Sequence, residues 1–129
     1  MTLDSSAIIA VLFGEAGYLD LVDVMLESEV VRIGTPTLTE TAVVMTARRK
    51  KPCGPDLASL LEELDVTLVP FTPAHHQAAL AAYERFGRGR HKAGLNFGDC
   101  LSYAVAKVAD DSLLFVGDDF RHTDIRPAR

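Results

Sequence analysis

The sequence predicts an α/β fold built around a parallel β-sheet. Short apolar or β-branched runs that are typical of strands alternate with longer segments whose apolar residues recur at helical spacing. Neighbouring parallel strands need a long crossover, so this alternation favours a parallel sheet flanked by helices. The length of 129 residues and the hydrophobic content of 48% fit one globular domain, and no Pro-, Gly- or Ser-rich linker divides the chain. We therefore expect a single domain over residues 1–129.

The first elements follow from apolar runs separated by breaks. Residues 1–3 predict a short strand that ends at Asp4, and the two serines after it supply capping hydroxyls for a helix over residues 7–13. Beyond a break that contains two glycines, apolar residues at helical spacing predict a second helix over residues 18–28. Residues 30–33 then predict the second strand.

The middle of the chain predicts one strand between helices. A Thr-Pro pair opens a helix over residues 35–51, and its basic end is favoured by the helix dipole. Residues 56–64 predict another helix, and the β-branched run at residues 66–69, bounded by a proline, predicts the third strand. The next helix covers residues 72–86 and ends at glycine.

The end of the chain predicts a helix and a strand that both lead to acids. An asparagine N-cap predicts a helix over residues 97–109, and Asp99 lies among apolar neighbours in its first turn. Residues 113–116 predict the last strong strand, and Asp118 and Asp119 follow it.

Acids in comparable places predict one cation site. Asp4, Asp118 and Asp119 follow strands at their carboxyl ends, whereas Glu40 and Asp99 project from helices. In a doubly wound sheet, ligands bind beyond the carboxyl ends of strands where the winding reverses, so we expect these carboxylates to face one point. Two like charges about 4 Å apart repel by roughly 4 kcal/mol at an effective dielectric of about 20, so a cation must neutralise them. Hard oxygen ligands favour Mg²⁺ or Mn²⁺ over zinc.

The expected ion also indicates the substrate. Mg²⁺ commonly binds through one or two carboxylates plus substrate phosphates, and a bound cation orients water for attack on phosphorus. A cationic run directly before Asp99 would hold the backbone of a polyanion without reading its sequence. This run consists of Arg85, Arg88, Arg90, His91 and Lys92. The net charge of −5 argues against a nucleic-acid partner, but local positive potential can coexist with an acidic total, so we expect a nuclease.

Each acid also has an ordinary structural explanation. Asp4 is a possible helix cap, and Asp99 would complement the dipole of its helix as a first-turn charge. Glu40 would be a solvated helix residue, although apolar residues surround it. Asp118 and Asp119 would belong to a plain turn.

Several other classes of protein and site are poorly supported. No apolar run approaches the roughly 20 residues that span a bilayer, and the start lacks the pattern of a signal peptide, so we expect a cytoplasmic protein without a membrane partner. Cys53 and Cys100 lie far apart without a Cys-x-x-Cys spacing, which predicts two free thiols. The histidines show no ligand spacing, and we expect His75 and His76 at the surface.

Four motifs, taken in order, give the chain a resemblance to a known family. They are Leu3-Asp4-Ser5-Ser6-Ala7, Thr39-Glu40-Thr41-Ala42, the segment from Gly87 to Cys100, and Leu113 to Phe120 followed by His122-Thr123-Asp124-Ile125. With these motifs the chain resembles, over its whole length, the PIN-domain endoribonucleases, and specifically the VapC-type toxins of bacterial toxin–antitoxin pairs.

The resemblance implies a fold, an activity and a site. The fold is a PIN-like three-layer α/β arrangement in which helices flank a five-stranded parallel sheet. The activity is that of a Mg²⁺- or Mn²⁺-dependent endoribonuclease, with Asp4, Glu40 and Asp99 as metal-site acids. Asp4 and Asp99 would hold the ion most directly, while Glu40 would complete the shell or orient water.

The fourth acid is left open by the resemblance. Many relatives carry an acid where this chain has Gly117, so either Asp118 or Asp119 would reach the metal, directly or through water. Ser6 would hydrogen-bond a site carboxylate and fix its rotamer.

The resemblance also implies partners. These are an RNA substrate, a second copy in a homodimer, and a small VapB-type antitoxin whose disordered tail covers the acids and brings an arginine into the place of the cation. Two alternatives are a small-phosphate hydrolase and a Mg²⁺-binding receiver-like module. The first lacks a glycine-rich phosphate loop after the first strand, and the second lacks a convincing phosphate-accepting Asp and later Lys. The RNA that is cut and the number of metal ions stay open.

Overall fold

The computed structural model describes residues 1–129 as a parallel sheet with helices packed against it. The four strands are β1 (Thr2–Leu3), β2 (Val31–Gly34), β3 (Val66–Val69) and β4 (Leu113–Leu114). The six α-helices are α1 (Ser5–Phe13), α2 (Tyr18–Glu27), α3 (Thr35–Arg49), α4 (Gly54–Glu63), α5 (Pro73–Phe86) and α6 (Phe97–Val108), and a 3₁₀-helix covers Asp119–His122. All strands and α-helices lie close to their predicted bounds. None of the helices combines enough length and apolar character to cross a bilayer.

The order of the strands creates a crevice at one end of the sheet. The order is β3-β2-β1-β4, and all neighbouring pairs are parallel. From β1 the chain crosses to β2 and β3 on one side and later returns to β4 on the other. The winding therefore reverses between β1 and β4, and ligands bind at the carboxyl ends of strands at such a point. Asp4 leaves β1 at this end.

The expected number of five strands is wrong, because the sheet has four. The segment that lies beyond β4 contributes one isolated parallel bridge between Leu113 and Pro127. Its two backbone hydrogen bonds are Leu113 N–H to Arg126 O at 2.9 Å and Ala128 N–H to Leu113 O at 2.9 Å. Proline has no backbone N–H, so Pro127 cannot donate to a longer ladder.

Two hydrophobic clusters cover the two faces of the sheet. Leu113 and Leu114 are neighbours in β4, so their side chains point to opposite faces, and they belong to different clusters. The cluster of Leu114 contains buried residues of β1, β2 and helices α1 to α4. The cluster of Leu113 contains those of α5, α6 and the 3₁₀-helix. The sheet is thus flanked by helices, which confirms the expected α/β class.

A close approach of α6 to the start of α3 brings two of the acid-bearing helices together. A Cβ at Gly34 would lie 2.7 Å from Val105 Cγ2, so only glycine leaves room for α6 at the end of β2. One turn further on, the buried hydroxyls of Thr37 and Ser102 form a hydrogen bond of 3.2 Å. These contacts fix α3, which carries Glu40, against α6.

Candidate functional site

Asp4 is a buried carboxylate with one oxygen that has no partner. It ends β1 and caps α1, and only 4% of the residue is exposed. Its Oδ2 accepts hydrogen bonds from the Ser6 N–H at 3.0 Å and from the Ser6 hydroxyl. Its Oδ1 is fully buried and accepts no hydrogen bond. Because a buried charged oxygen without a partner is costly, the surroundings of this atom fit a ligand that is a cation or a hydrogen-bond donor.

Ser6 links Asp4 to the strand on the other side of the crevice. Its hydroxyl donates to Asp4 Oδ2 and accepts a hydrogen bond from the Val116 N–H at 3.0 Å. The structure thus contains the hydrogen bond expected from Ser6, and it adds a second bond that the sequence did not indicate. Together they fix the Asp4 rotamer relative to the segment that leads to Asp119.

Glu40 lies half-buried on α3 with its carboxylate against the first turn of α6. A Cβ at Gly98 would lie 2.5 Å from Glu40 Oε1 and 2.7 Å from Oε2, so the carboxylate occupies the space that a side chain at position 98 would need. Burial raises the pKa of Glu40, the charge of Asp4 raises it further, and the Ser5 hydroxyl opposes the shift. The structure therefore does not support Glu40 as a freely solvated helix residue.

Asp99 helps to cap α6, and its pKa is raised by burial and by the charges of the other three acids. Asn96 and Asp99 form a capping box, in which Asn96 N–H donates to Asp99 Oδ2 at 2.8 Å and Asp99 N–H donates to Asn96 Oδ1 at 2.9 Å. Burial raises the pKa of Asp99 to about 6, against the effect of the Asn96 hydrogen bond. The charges of Asp4, Asp119 and Glu40 add to the rise.

The two candidates for the fourth acid have different surroundings. Asp119 is one of the charges that raise the pKa of Asp99, and it begins the 3₁₀-helix. The side chain of Asp118 is 86% exposed and lies 3.6 Å from Arg121 Nε. The geometry therefore favours Asp119, whose charge acts on the cluster, over Asp118, which faces solvent beside a cation.

The four acids have no counter-charge within the protein. None of Asp4, Glu40, Asp99 and Asp119 forms an ion pair. No three His, Cys, Asp or Glu side chains are arranged to hold one metal ion between them. A cation at this site would therefore have one or two carboxylates as direct ligands and would reach the others through water, a coordination that is common for Mg²⁺.

Arg85, one of the cations expected to bind RNA, has a partner within the protein. Its Nη1 donates to Asp124 Oδ2 at 3.0 Å. Asp124 also accepts from the Tyr103 hydroxyl at 2.6 Å and from Lys107 Nζ at 3.2 Å. Burial works to raise the pKa of Asp124, but these hydrogen bonds and charges hold it below its ordinary value. This network ties the segment after the 3₁₀-helix to α5 and α6.

This network was not predicted from the sequence. The available signal was Tyr103, which follows Asp99 by four residues and therefore lies on the same face of α6. A tyrosine that faces the core needs a partner for its hydroxyl, and Asp124 was the acid left over near the end of the chain.

The other cations of the run are exposed and unpaired. Arg88, Arg90 and Lys92 lie in the turn between Gly87 and Leu95, which are joined by a parallel bridge, and none of them forms an ion pair. Arg90 lies over the ring of Tyr83, with 5.7 Å from its Cζ to the centroid. These three side chains are available to an anionic ligand.

His91 and His75 have structural roles. His91 Nδ1 accepts from the Ala93 N–H at 3.1 Å and its ring packs against Phe86. The expectation that His75 lies at the surface is wrong, because only 6% of it is exposed. Its Nδ1 accepts from the Thr72 N–H at 3.0 Å and so closes the start of α5.

Known proteins show the same pattern over nearly the whole chain. The PIN domain family matches residues 1–126. Ribonuclease VapC30 of Mycobacterium tuberculosis is 42% identical over 126 residues, which cover 97% of this chain and 95% of that protein. Ribonuclease VapC of Mycolicibacterium smegmatis is 42% identical over 125 residues, 97% of each chain.

Solved structures share the fold at low sequence identity. The crystal structure of Mycobacterium tuberculosis VapC20, described as a toxin that cleaves the sarcin-ricin loop, superposes with a TM-score of 0.71 at 19% identity and covers 98% of both chains. A chain of a toxin-antitoxin complex from Klebsiella pneumoniae superposes with a TM-score of 0.68 at 14% identity and covers 95% of this chain and 92% of that one.

Proposed function

The chain belongs to the PIN-domain family, among its VapC-type ribonuclease toxins, and from that premise we propose that Asp4, Glu40, Asp99 and Asp119 bind a divalent cation and hydrolyse RNA phosphodiester bonds. The observation that carries this proposal is the buried, unpartnered Oδ1 of Asp4 within a group of four acids that have no cation. A carboxylate cluster without its own counter-charge is stable only when a ligand supplies one.

Each residue has a separate task in the proposed reaction. Asp4 and Asp99 would hold the ion, Mg²⁺ or Mn²⁺, which would supply an acidified water and a positive charge for the phosphorus oxygens. Glu40, whose pKa is raised by burial and by the charge of Asp4, would orient the attacking water and take its proton. Ser6 holds the Asp4 carboxylate in one rotamer.

Asp119 completes the site, and Asp118 provides its matched control. Labelled RNA is incubated with the chain in Mn²⁺ and then with a chelator, and product formation is followed over time. Cleavage should require the ion, and Asp119→Asn should lower the rate by about a hundredfold or more because an electrostatic group is lost from the reacting centre. Asp118→Asn should cleave at nearly the wild-type rate. Metal-independent cleavage, or equal losses in the two variants, would contradict the proposed site.

The same assay separates the alternative classes. A small-phosphate hydrolase would release phosphate from a nucleoside monophosphate and leave RNA intact, and a receiver-like module would take up phosphate from a small donor without cleaving either. The similarity to VapC ribonucleases favours RNA cleavage over both alternatives.

We assign the phosphate contacts outside the acid cluster to the exposed cations. Arg88, Arg90 and Lys92 have no partner in the protein and would hold the RNA backbone. Arg85 would contact phosphate only through the guanidinium N–H groups that do not donate to Asp124. Because its substrate is cellular RNA, the protein would act in the cytoplasm.

Two protein partners belong to the proposal. A VapB-type antitoxin would place a tail segment over the acids, and an arginine of that tail would fill the place of the cation, since a guanidinium pairs well with carboxylates. A homodimer is the proposed assembly of the toxin itself. Purification of the tagged chain from its native cell should recover a small partner protein that inhibits cleavage, and its absence would count against the toxin role.

A further inference from the structure

A groove lies between α5 and α6. Its volume of about 540 Å³ lies within the range of small-ligand pockets, roughly 300–1,000 Å³. The lining is almost entirely aromatic and aliphatic, and it includes Phe71, His76, Leu80, Tyr83, Phe97 and Leu101. Phe97 precedes Asp99 by two residues in α6, and Cys100, which also lines the groove, follows it directly. The groove thus lies at the start of the helix that carries Asp99, on a different face of that helix, because residues one or two positions apart on a helix do not face each other.

Phe97 is the most exposed large apolar side chain of the molecule, with 79% of the residue in contact with solvent. It occupies the first position of α6, where it contributes little to the core. Leu80 and Tyr83, on α5, are also 50% and 40% exposed. Contiguous exposed apolar side chains mark places where a ligand or partner binds.

The charges around the groove are those that an RNA strand would need. Arg90 lies over the ring of Tyr83, at the α5 side of the groove, and has no carboxylate partner. Planar apolar faces with a free cation at their edge match an unpaired base and its neighbouring phosphate.

We propose that this groove binds an unpaired base of the RNA substrate, which stacks on Phe97 while Arg90 holds a neighbouring phosphate. This inference rests on the proposed ribonuclease function and deepens it, because it assigns a single-stranded or extruded nucleotide of the substrate to this groove. Every base has a π-face, so stacking alone is tolerant of sequence. The apolar surface of a second copy would also fill the groove, but it would give the Arg90 guanidinium no anionic partner.

Substitutions at position 97 distinguish a ring from an apolar surface of similar size. In the Asp4→Asn background, which should not cleave, a short single-stranded RNA that carries 2-aminopurine is titrated with protein, and fluorescence reports stacking. Phe97→Ala and Phe97→Leu should both weaken binding by about 5- to 150-fold, the loss of one base–aromatic stack, and should abolish the quenching. Phe97→Tyr should restore both.

The matched control and the cation test use other exposed side chains. Leu26 on α2 is 65% exposed and does not line the groove, so Leu26→Ala should leave binding unchanged. Arg90→Gln should weaken binding at low salt and reduce the slope of log K against log salt by about 0.7, the loss of one phosphate contact on a single strand. The quenching by Phe97 should persist in this variant.

Three results would overturn the inference. Wild-type affinity in Phe97→Ala would exclude stacking, and full binding in Phe97→Leu would show that apolar area, rather than an aromatic ring, is what matters. Sedimentation that shows Phe97→Ala to be monomeric while RNA affinity is unchanged would assign the groove to an interface between copies. The proposed function is judged separately, because a wild-type chain that fails to cleave RNA in Mn²⁺ contradicts the function itself.

Discussion

Two carboxylates at opposite ends of the sheet show how this chain treats buried negative charge. Asp111 precedes β4, at the end of the sheet away from the crevice, and its side chain is 15% exposed. It lies 2.8 Å from Arg32 Nη1 and 3.3 Å from the amino group of Met1, and it accepts a hydrogen bond from the Thr2 hydroxyl. Asp4, at the crevice end, has hydrogen bonds to Ser6 alone and no cation.

The difference separates a structural carboxylate from one reserved for a ligand. Asp111 has two cations of the protein, so its charge is compensated in the folded chain itself. Asp124 is of the same kind, because Arg85 and Lys107 neutralise it. Asp4 is more deeply buried than either, yet its compensation must come from outside the chain. The lack of an internal cation, rather than burial, is therefore what distinguishes Asp4 from these two structural carboxylates.

Neutralising Asp4 and Asp111 in turn tests directly whether the two carboxylates have different roles. Asp4→Asn should lower RNA cleavage by about a hundredfold or more, because a metal ligand is lost. It should leave the free energy of unfolding in chelator unchanged or higher, because a buried charge without a cation is removed. Asp111→Asn should instead lower the free energy of unfolding by about 1–3 kcal/mol, because two cations lose their partner.

Urea unfolding and cleavage per folded molecule measure the two effects separately. Asp111→Asn that has folded should cleave RNA at the wild-type rate, since Asp111 lies at the other end of the sheet. If Asp4→Asn unfolds more readily than the wild type in chelator, then Asp4 is a structural carboxylate and the contrast with Asp111 disappears.

The sequence predicted the positions of the acids relative to strands and helices well, and their surroundings poorly. Asp4 and Asp99 were identifiable because strand ends and helix caps are local signals, and the alternation of elements was sufficient to place them at one edge of the sheet. The choice between Asp118 and Asp119 could not be made, because it depends on which side chain turns away from a neighbouring arginine. Likewise, the pairing of Arg85 with Asp124 joins residues 39 positions apart, which no local pattern reports.

A substitution at Gly98 tests whether the position of the Glu40 carboxylate matters as much as its charge. Gly98→Ala would place a Cβ 2.5 Å from Glu40 Oε1, and the flexible carboxylate would move away. We expect cleavage to fall by about tenfold to a hundredfold, since a misplacement of about 1 Å is enough to reduce catalysis to that extent. Stability should change little, because the end of a side chain gives way rather than the backbone.

Gly54→Ala is the matched control for this substitution. Gly54 also lies in the first turn of a helix, and a Cβ there would meet nothing within 4 Å. The variant should cleave at the wild-type rate. If Gly98→Ala also keeps full activity, then Glu40 has no fixed position in the site.

The smallest expected effect is a dependence of stability on pH that the paired carboxylates do not share. The pKa of Asp99 rises from 3.8 in the unfolded chain to about 6 in the fold, so between these values the folded state binds more protons than the unfolded state. Stability from this group is therefore fully present below pH 3.8 and is lost as the pH rises through about 6. Asp124, with its lowered pKa, contributes in the opposite direction, with stability lost as the pH falls.

The comparison of wild type with Asp99→Asn isolates this contribution, because asparagine keeps an oxygen for the Asn96 N–H. In chelator, the free energy of unfolding of the wild type relative to Asp99→Asn should fall as the pH rises from about 4 to about 6.5, as the carboxylate ionises among Asp4, Glu40 and Asp119. Added Mg²⁺ should reverse this difference near neutral pH, because an ion binds only the ionised acid and stabilises the folded state by mass action. A difference that is flat with pH in chelator would mean that Asp99 does not feel the other three acids, and the four would then no longer form one cluster.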